Sequence, residues 1–302
     1  MNKDFKSGFC AIIGRPNVGK STLLNQFLKH KVVIVSPKAQ TTRNKIQGIY
    51  TDSEAQIIFI DTPGVHKAKT ELGKVMNEFA SSSLGGVDVC LFMVDATVKM
   101  GSGEKFIIDE LLKTKIPTIL VANKVDLVKS QEELVENMDS YKEAFPFKGG
   151  IAISATSNFK VDDLMGMIKN ILQPGPMYYP EDQLLDQPER FVVSEIIREK
   201  VLLKTEDEVP HSVAVEIESF KESNKTNGLI EIHATIVVER QSQKKIIIGA
   251  KGSKIKEIGT LARRDISALL GNKVYLELFV KVEEDWRNRK KHLKSFGYNN
   301  DL

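Results

Sequence analysis

Residues 14–21 read Gly14-Arg15-Pro16-Asn17-Val18-Gly19-Lys20-Ser21, and this octapeptide decides the fold. It matches G-x-x-x-x-G-K-[ST], the phosphate loop. The apolar run Phe9-Cys10-Ala11-Ile12-Ile13 before it reads as a buried strand. Ser21–Leu28 after it, with Leu24, Phe27 and Leu28 at helical spacing, reads as a helix. Strand, glycine loop and helix is the setting the motif needs. Gly14 and Gly19 let the backbone curl so that N–H groups point inward at phosphate oxygens. Arg15, Pro16, Asn17 and Val18 complete the cradle, and Thr22 follows in the first turn of a helix whose positive dipole end faces the anion. Lys20 is placed to bridge the β- and γ-phosphates. The Ser21 hydroxyl is placed to ligate Mg²⁺.

Composition narrows the class. A chain of 302 residues is long enough for two domains. With 27% charged and 41% hydrophobic residues it falls among ordinary soluble globular proteins. The net charge is only +3, so any nucleic-acid surface must be a local patch. Cys10 and Cys90 both sit in apolar runs with no C-x-x-C neighbour, which suggests neither a disulfide framework nor a zinc site. The five histidines show no metal-ligand spacing. The N-terminal residues lack the apolar core of a signal peptide. No apolar run approaches the roughly 20 residues that span a bilayer. A cytoplasmic setting is expected.

The first half alternates strands and helices. The polar loop Pro37–Arg43 follows the first helix and a short apolar run, Lys31–Ser36. A threonine in this loop is the second protein ligand expected for Mg²⁺, available only when a γ-phosphate is present. Thr42 is the first candidate and Thr41 the second. Strands are expected over Lys45–Tyr50 and Ala55–Asp61, joined by a hairpin turn at Thr51–Glu54. The second strand ends in Asp61-Thr62-Pro63-Gly64. Its carboxylate can hold the water shell of Mg²⁺, and the Gly64 N–H can reach the γ-phosphate. Lys20, Thr42, Asp61 and Gly64 are therefore the candidate catalytic set. Val65–Ser83 reads as a second mobile switch running into a helix near Leu72–Leu84.

Further strands are expected at Val87–Asp95 and Ile116–Val121, with a helix at Glu104–Leu112 between them. The second of these strands leads into Asn123-Lys124-Val125-Asp126. Asp126 can accept from guanine N1–H and the 2-amino group. Adenine offers neither donor, so the buried acceptors would be left unpaired at about 1–3 kcal/mol each. The stem of Lys124 can lie along the base. Ile151–Ala155 is expected as the last strand, with Ser154 and Ala155 at its exit and the Ala155 N–H contacting guanine O6. Val161–Leu172 closes the domain as a helix. The predicted fold is α/β, with a mostly parallel sheet and its ligand loops at the carboxyl ends of the strands.

Gln173–Pro180 holds three prolines and a glycine and marks a linker. Residues 1–172, 173–190 and 191–302 are thus expected as nucleotide domain, linker and second domain. In the second half a helix is expected over Glu189–Leu203, with Phe191, Ile196 or Ile197, and Leu203 inward. Strands are expected over Ser212–Phe220 and Leu229–Glu239. Next comes Ile248-Gly249-Ala250-Lys251-Gly252, read as Gly-x-x-Gly after an apolar strand and before a helix. Such glycines let a single-stranded backbone approach, and Lys251 can meet a phosphate. From Lys244 to Lys273 there are eight bases, Lys254 and Lys256 among them, against Glu257 and Asp265. A solvated basic face is the plainer alternative; the glycine frame together with the charge favours RNA. Lys273–Val282 is expected as a strand, and Glu284–Leu293 as a terminal helix.

Gly14–Ser21, Thr42, Asp61–Gly64, Asn123–Asp126 and Ser154-Ala155, joined to Gly249–Gly252, closely resemble the Era-like GTPase family over nearly the whole chain. The resemblance implies a P-loop GTPase domain followed by an α+β type II KH domain. It implies GTP hydrolysis with GTP/GDP and Mg²⁺, and a role in assembly of the small ribosomal subunit. It also implies binding of the 3′ end of 16S rRNA through the KH domain, a monomeric state and peripheral contact with the inner membrane. Asn17 occupies the position that resembles the K⁺ ligand of cation-activated GTPases. Where Ras-type GTPases carry a glutamine after Asp-x-x-Gly, this chain has Val65. Slow hydrolysis with another means of positioning water is implied, and Arg15 and Arg43 are the nearby arginines.

Overall fold

The computed structural model describes residues 4–298 apart from 37, 39, 40, 45, 65–69, 208, 224, 225 and 227. Val65 and the start of the expected second switch lie outside the described residues. Contacts divide the chain into two units. One comprises Met1–Val33, Thr42–Lys69 and Gly73–Asp186; the other comprises Ile34–Thr41, Thr70–Leu72 and Gln187–Leu302.

The first unit is built on β1 (Lys6–Gly14), β2 (Ile46–Thr51), β3 (Ala55–Asp61), β4 (Val89–Asp95), β5 (Thr118–Asn123) and β6 (Gly149–Ala152). They form one sheet in the order β2-β3-β1-β4-β5-β6. Only the β2–β3 hairpin is antiparallel. All seven residues of β3 are buried. A continuous apolar strand of this kind belongs inside a parallel sheet covered on both faces. The helices are α1 (Lys20–Leu28), α2 (Glu71–Ser82, in this unit from Gly73 onward), α3 (Ser102–Leu112), α4 (Gln131–Ala144) and α5 (Val161–Ile171). Phe27 of α1 stacks on Phe59 of β3 with ring centroids 4.5 Å apart, which fixes the helix after the phosphate loop onto the sheet.

Most expected elements recur within a residue or two. Helix α4 was not foreseen. The strand expected at Ile151–Ala155 begins two residues earlier and ends at Ala152, because Gly149 and Gly150 pair with Ile119 and Leu120. Ser154 instead forms an isolated bridge with Phe159. The proline-rich stretch is fastened to this unit. Lys6 bridges Pro174 and Gly48 bridges Leu185. The buried Gln56 side chain accepts from the Tyr178 and Tyr179 N–H groups at 2.7 and 3.0 Å and donates to the Tyr179 carbonyl at 2.8 Å.

The second unit runs α6 (Glu189–Lys204), β7 (Ala214–Glu222), β8 (Leu229–Val238), α7 (Gln241–Ile248), α8 (Ser253–Leu270), β9 (Lys273–Val282) and α9 (Lys290–Ser295). The sheet order is β7-β8-β9, antiparallel then parallel. This is the helix–strand–strand–helix–helix–strand order of a type II KH domain. On α8, Ile258, Ala262 and Ile266 are buried at i, i+4 and i+8, the stripe a helix lays on a sheet. Segment Ile34–Thr41 belongs here because α6 grips it. Arg198, wholly buried, donates to the Thr41 carbonyl and pairs with Glu195, while Glu199 accepts from the Val35 N–H at 3.1 Å.

Leu203, expected inward on α6, is instead 48% exposed, and two further expectations are corrected. The residues before Gly249 are helix α7, not a strand. Gln243 and Ile247 are buried four apart while Ile246 is 44% exposed, a helical rather than an alternating pattern. The single terminal helix is broken instead. Asp285 takes a left-handed φ of 55°, a short turn follows at Trp286–Asn288, and α9 starts at Lys290. Burial of Trp286, whose indole N–H donates to the Ser212 carbonyl at 2.9 Å, forces the break.

Candidate functional site

The phosphate loop leaves β1 at Gly14 and enters α1 through Gly19, whose φ is 105°. Asn17 is left-handed at φ 65°. Val18 is buried and anchors the loop, and Thr22 is half-buried in the first turn of α1. Lys20 is 6% exposed, and its ammonium donates to the carbonyls of Gly14 at 3.0 Å and Arg15 at 2.8 Å. Burial lowers its pKa to about 8 against the raising effect of Asp61. Arg15 is half-exposed and reaches Glu104 at 3.5 Å. Arg43 is buried.

Three oxygen donors from separate segments converge beside this loop. Ser21 Oγ donates to Asp61 Oδ2 at 2.8 Å, Thr42 Oγ1 donates to the same oxygen at 3.2 Å, and the two hydroxyls are 2.9 Å apart. Asp61 is fully buried, and burial raises its pKa against the opposing effects of Lys20, Ser21 and Thr42. Its Oδ1 is buried without a hydrogen-bond partner. Hard oxygen donors with one orphaned carboxylate oxygen fit Mg²⁺ and its water shell. Thr41 stands apart, its hydroxyl donating to the Lys38 carbonyl at 2.7 Å. Thr42 is thus the threonine gathered with Ser21 and Asp61.

After Asp61, the buried Thr62 donates to the Ile12 carbonyl at 2.9 Å, tying this turn to β1. Pro63 and Gly64 are buried too. A Cβ at Gly64 would lie 2.6 Å from the Pro16 nitrogen, so only glycine lets the turn reach the phosphate loop.

The base-reading end is held by one amide. Asn123 donates to the Val18 carbonyl at 2.8 Å and accepts from the Ala155 N–H at 2.9 Å. The Ala155 N–H, expected to contact guanine O6, donates to Asn123 Oδ1 here and would have to turn from it or share its proton to reach a base. Lys124 is left-handed at φ 68° and pairs with Asp95 at 2.6 Å. Burial works to raise the Asp95 pKa, but hydrogen bonds from Lys124 and Thr97 prevail and hold it low. Asp126 is exposed in the short turn Val125–Leu127. Ser154 is buried and accepts from the Ser157 N–H at 3.2 Å. Sequence reasoning missed the bracing roles of Asp95 and Glu104. The acid ending β4 was the available signal for the first.

In the second unit α7 ends at Ile248, which is half-buried. Gly249, Lys251 and Gly252 all have positive φ, and α8 opens at Ser253. A Cβ at Gly249 would meet that of Lys254 at 2.7 Å. Ala250, Lys251 and Lys256 are exposed and Lys254 is half-buried. The two acids of this basic region are engaged by α6. Glu257 pairs with Lys204 at 2.5 Å, and Asp265 pairs with Lys200 and with Arg264. The loop therefore presents lysines and the helix N-terminus to an approaching phosphate chain.

Fold and site together define a P-loop GTPase joined to a KH domain. A family model described as 50S ribosome-binding GTPase matches residues 9–124, and a KH-domain model matches residues 208–287. A crystal structure of an Aquifex aeolicus Era variant bound to GDP·AlF₄⁻ is 41% identical, with a TM-score of 0.94 over 97% of this chain and 99% of that one. Era in complex with MgGDPNP and nucleotides 1506–1542 of 16S ribosomal RNA matches with the same identity, coverage and TM-score. The chain belongs to the Era family of GTPases.

Proposed function

We propose that this protein hydrolyses GTP as a timed, RNA-binding factor in assembly of the small ribosomal subunit. It binds the 3′ end of 16S rRNA through Gly249–Gly252 and the surrounding lysines. The convergence of Ser21, Thr42 and Asp61 beside Lys20 carries the nucleotide half of this reading. Bound Mg²⁺ would be held by Ser21, Thr42 and the Asp61 side, and supplies positive charge to the phosphates. Lys20 exchanges its two carbonyl partners for phosphate oxygens. The Gly64 N–H and the loop N–H groups stabilise charge on the transferring group. Asp126 selects guanine.

Asn17 is proposed to help hold a K⁺ ion that supplies the positive charge an arginine finger gives in other GTPases. Faster turnover in KCl than in NaCl at matched ionic strength supports this; equal rates count against it. Cytoplasmic residence with peripheral contact at the inner membrane completes the proposal. No helix among the described residues is long and apolar enough to cross a membrane. Flotation with anionic vesicles tests the contact.

The deciding experiment pairs filter binding with phosphate release, using RNA of the sequence of nucleotides 1506–1542 of 16S rRNA. Saturable binding together with single-turnover hydrolysis is expected. A protein that binds GTP and RNA yet releases no phosphate would be a tether rather than a timer.

A further inference from the structure

An apolar cleft of about 570 Å³ lies between Leu134, Val135 and Met138 of α4 and Gly150, Ile151 and Ala152 of β6. Nucleotide chemistry leaves it unused. Gly150 pairs with Leu120 and Ala152 with Ala122, so the small residues of β6 share the face that α4 covers. A Cβ built on Gly150 meets nothing closer than 3.8 Å, so the floor of the cleft is open. Val135 is 48% exposed on the rim. β6 is the last strand of its sheet, and no strand lies on its outer side among the described residues. Unpaired strand backbone beside an apolar pocket is what an added strand requires.

Charge selects the occupant. α4 carries Glu132, Glu133, Glu136, Asp139 and Glu143 against Lys142, which also lines the cleft. Lys142 pairs with Asp139 at 2.8 Å and Lys99 pairs with Glu136 at 2.5 Å, which leaves Glu132, Glu133 and Glu143 as the excess negative charge of this helix. Val135 also borders a shallow depression lined by Glu132, Glu136 and Asp139, so the apolar cleft runs into an acidic strip. A nucleic-acid backbone would meet like charge there. So would a second copy that brought its own α4. A cationic chain meets opposite charge.

We propose that this cleft docks an extended segment of a partner protein, with one apolar side chain in the pocket and lysines or arginines over the acidic strip. The probe is the fluorescein-labelled peptide Lys-Lys-Val-Leu-Val-Lys-Lys, with glutamates replacing the four lysines as control, followed by anisotropy on the full chain. The lysine peptide binds saturably and weakens at least about tenfold between about 50 and about 300 mM KCl. The glutamate peptide does not bind. Gly150→Val fills the floor with a residue suited to a strand, weakening binding at least about tenfold without changing GTP hydrolysis. Val135→Lys, at an exposed position, sets a cation among the rim carboxylates and removes an apolar wall of the cleft, and has the same effect. Three results would each overturn the proposal: no saturable binding, equal affinity for both peptides, or undiminished binding in both variants. A dimer that Gly150→Val dissolves would assign the cleft to a second copy instead.

Discussion

Asp126 offers a carboxylate in an exposed turn whose backbone is fixed by the left-handed Lys124 before it. Asp126→Asn replaces an acceptor by a donor opposite guanine N1–H. GTP affinity should fall by about 1–3 kcal/mol, and xanthosine triphosphate should be preferred. Titration with fluorescent nucleotides checks both. Lys20 carries a second prediction. Folding lowers its pKa to about 8, so without nucleotide the folded protein favours the deprotonated form increasingly as pH rises above that value. Phosphates favour the ammonium and raise the pKa again. Binding above pH 8 must therefore take up a proton, and GTP affinity should fall by up to about tenfold per pH unit there while staying flat on this account below pH 8. A binding series across that range measures it. At this scale the sequence was most legible where one residue type has one use, as with Lys20 and Asp126. It was least legible at Ala155, whose N–H partner is a side chain 32 residues away that no local pattern announces.

Among elements, the turn between α7 and α8 separates RNA binding from catalysis. Replacing Ala250→Asp and Lys251→Asp together puts two carboxylates where a phosphate chain must approach. Gly249 and Gly252 keep the turn. RNA affinity should drop well beyond about tenfold while basal phosphate release persists. Filter binding and phosphate release on one preparation read both. The strand expected before this turn was wrong because Ile246-Ile247-Ile248 is a run without period, and runs of that length suit either state. Helix α4 went unseen because its exposed face is acidic and few apolar residues reveal its period. Ser130, whose hydroxyl accepts from the Glu133 N–H at 3.2 Å, was the cap that could have marked it. The parallel strands β1, β3 and β4 were legible because burial on both faces writes itself as an unbroken apolar run.

For the molecule as a whole, the stretch after α5 matters more than its proline content suggests. Gln56 serves two N–H groups and one carbonyl of Tyr178 and Tyr179 from a fully buried position. Gln56→Leu would strand those backbone groups, and a loss of about 2–4 kcal/mol is expected in a denaturant melt. Farther along, the Ile49 N–H donates to the Leu184 carbonyl and the Asp186 N–H to the Gln47 carbonyl, so the chain lies along β2, the strand that ends the sheet on that side. Solubility follows from this. A fragment cut after Leu172 would lay bare a row of backbone donors and acceptors able to template aggregation. One cut after Asp186 would keep them covered. Residues 1–186 should melt cooperatively as a monomer, and residues 1–172 should scatter light on warming.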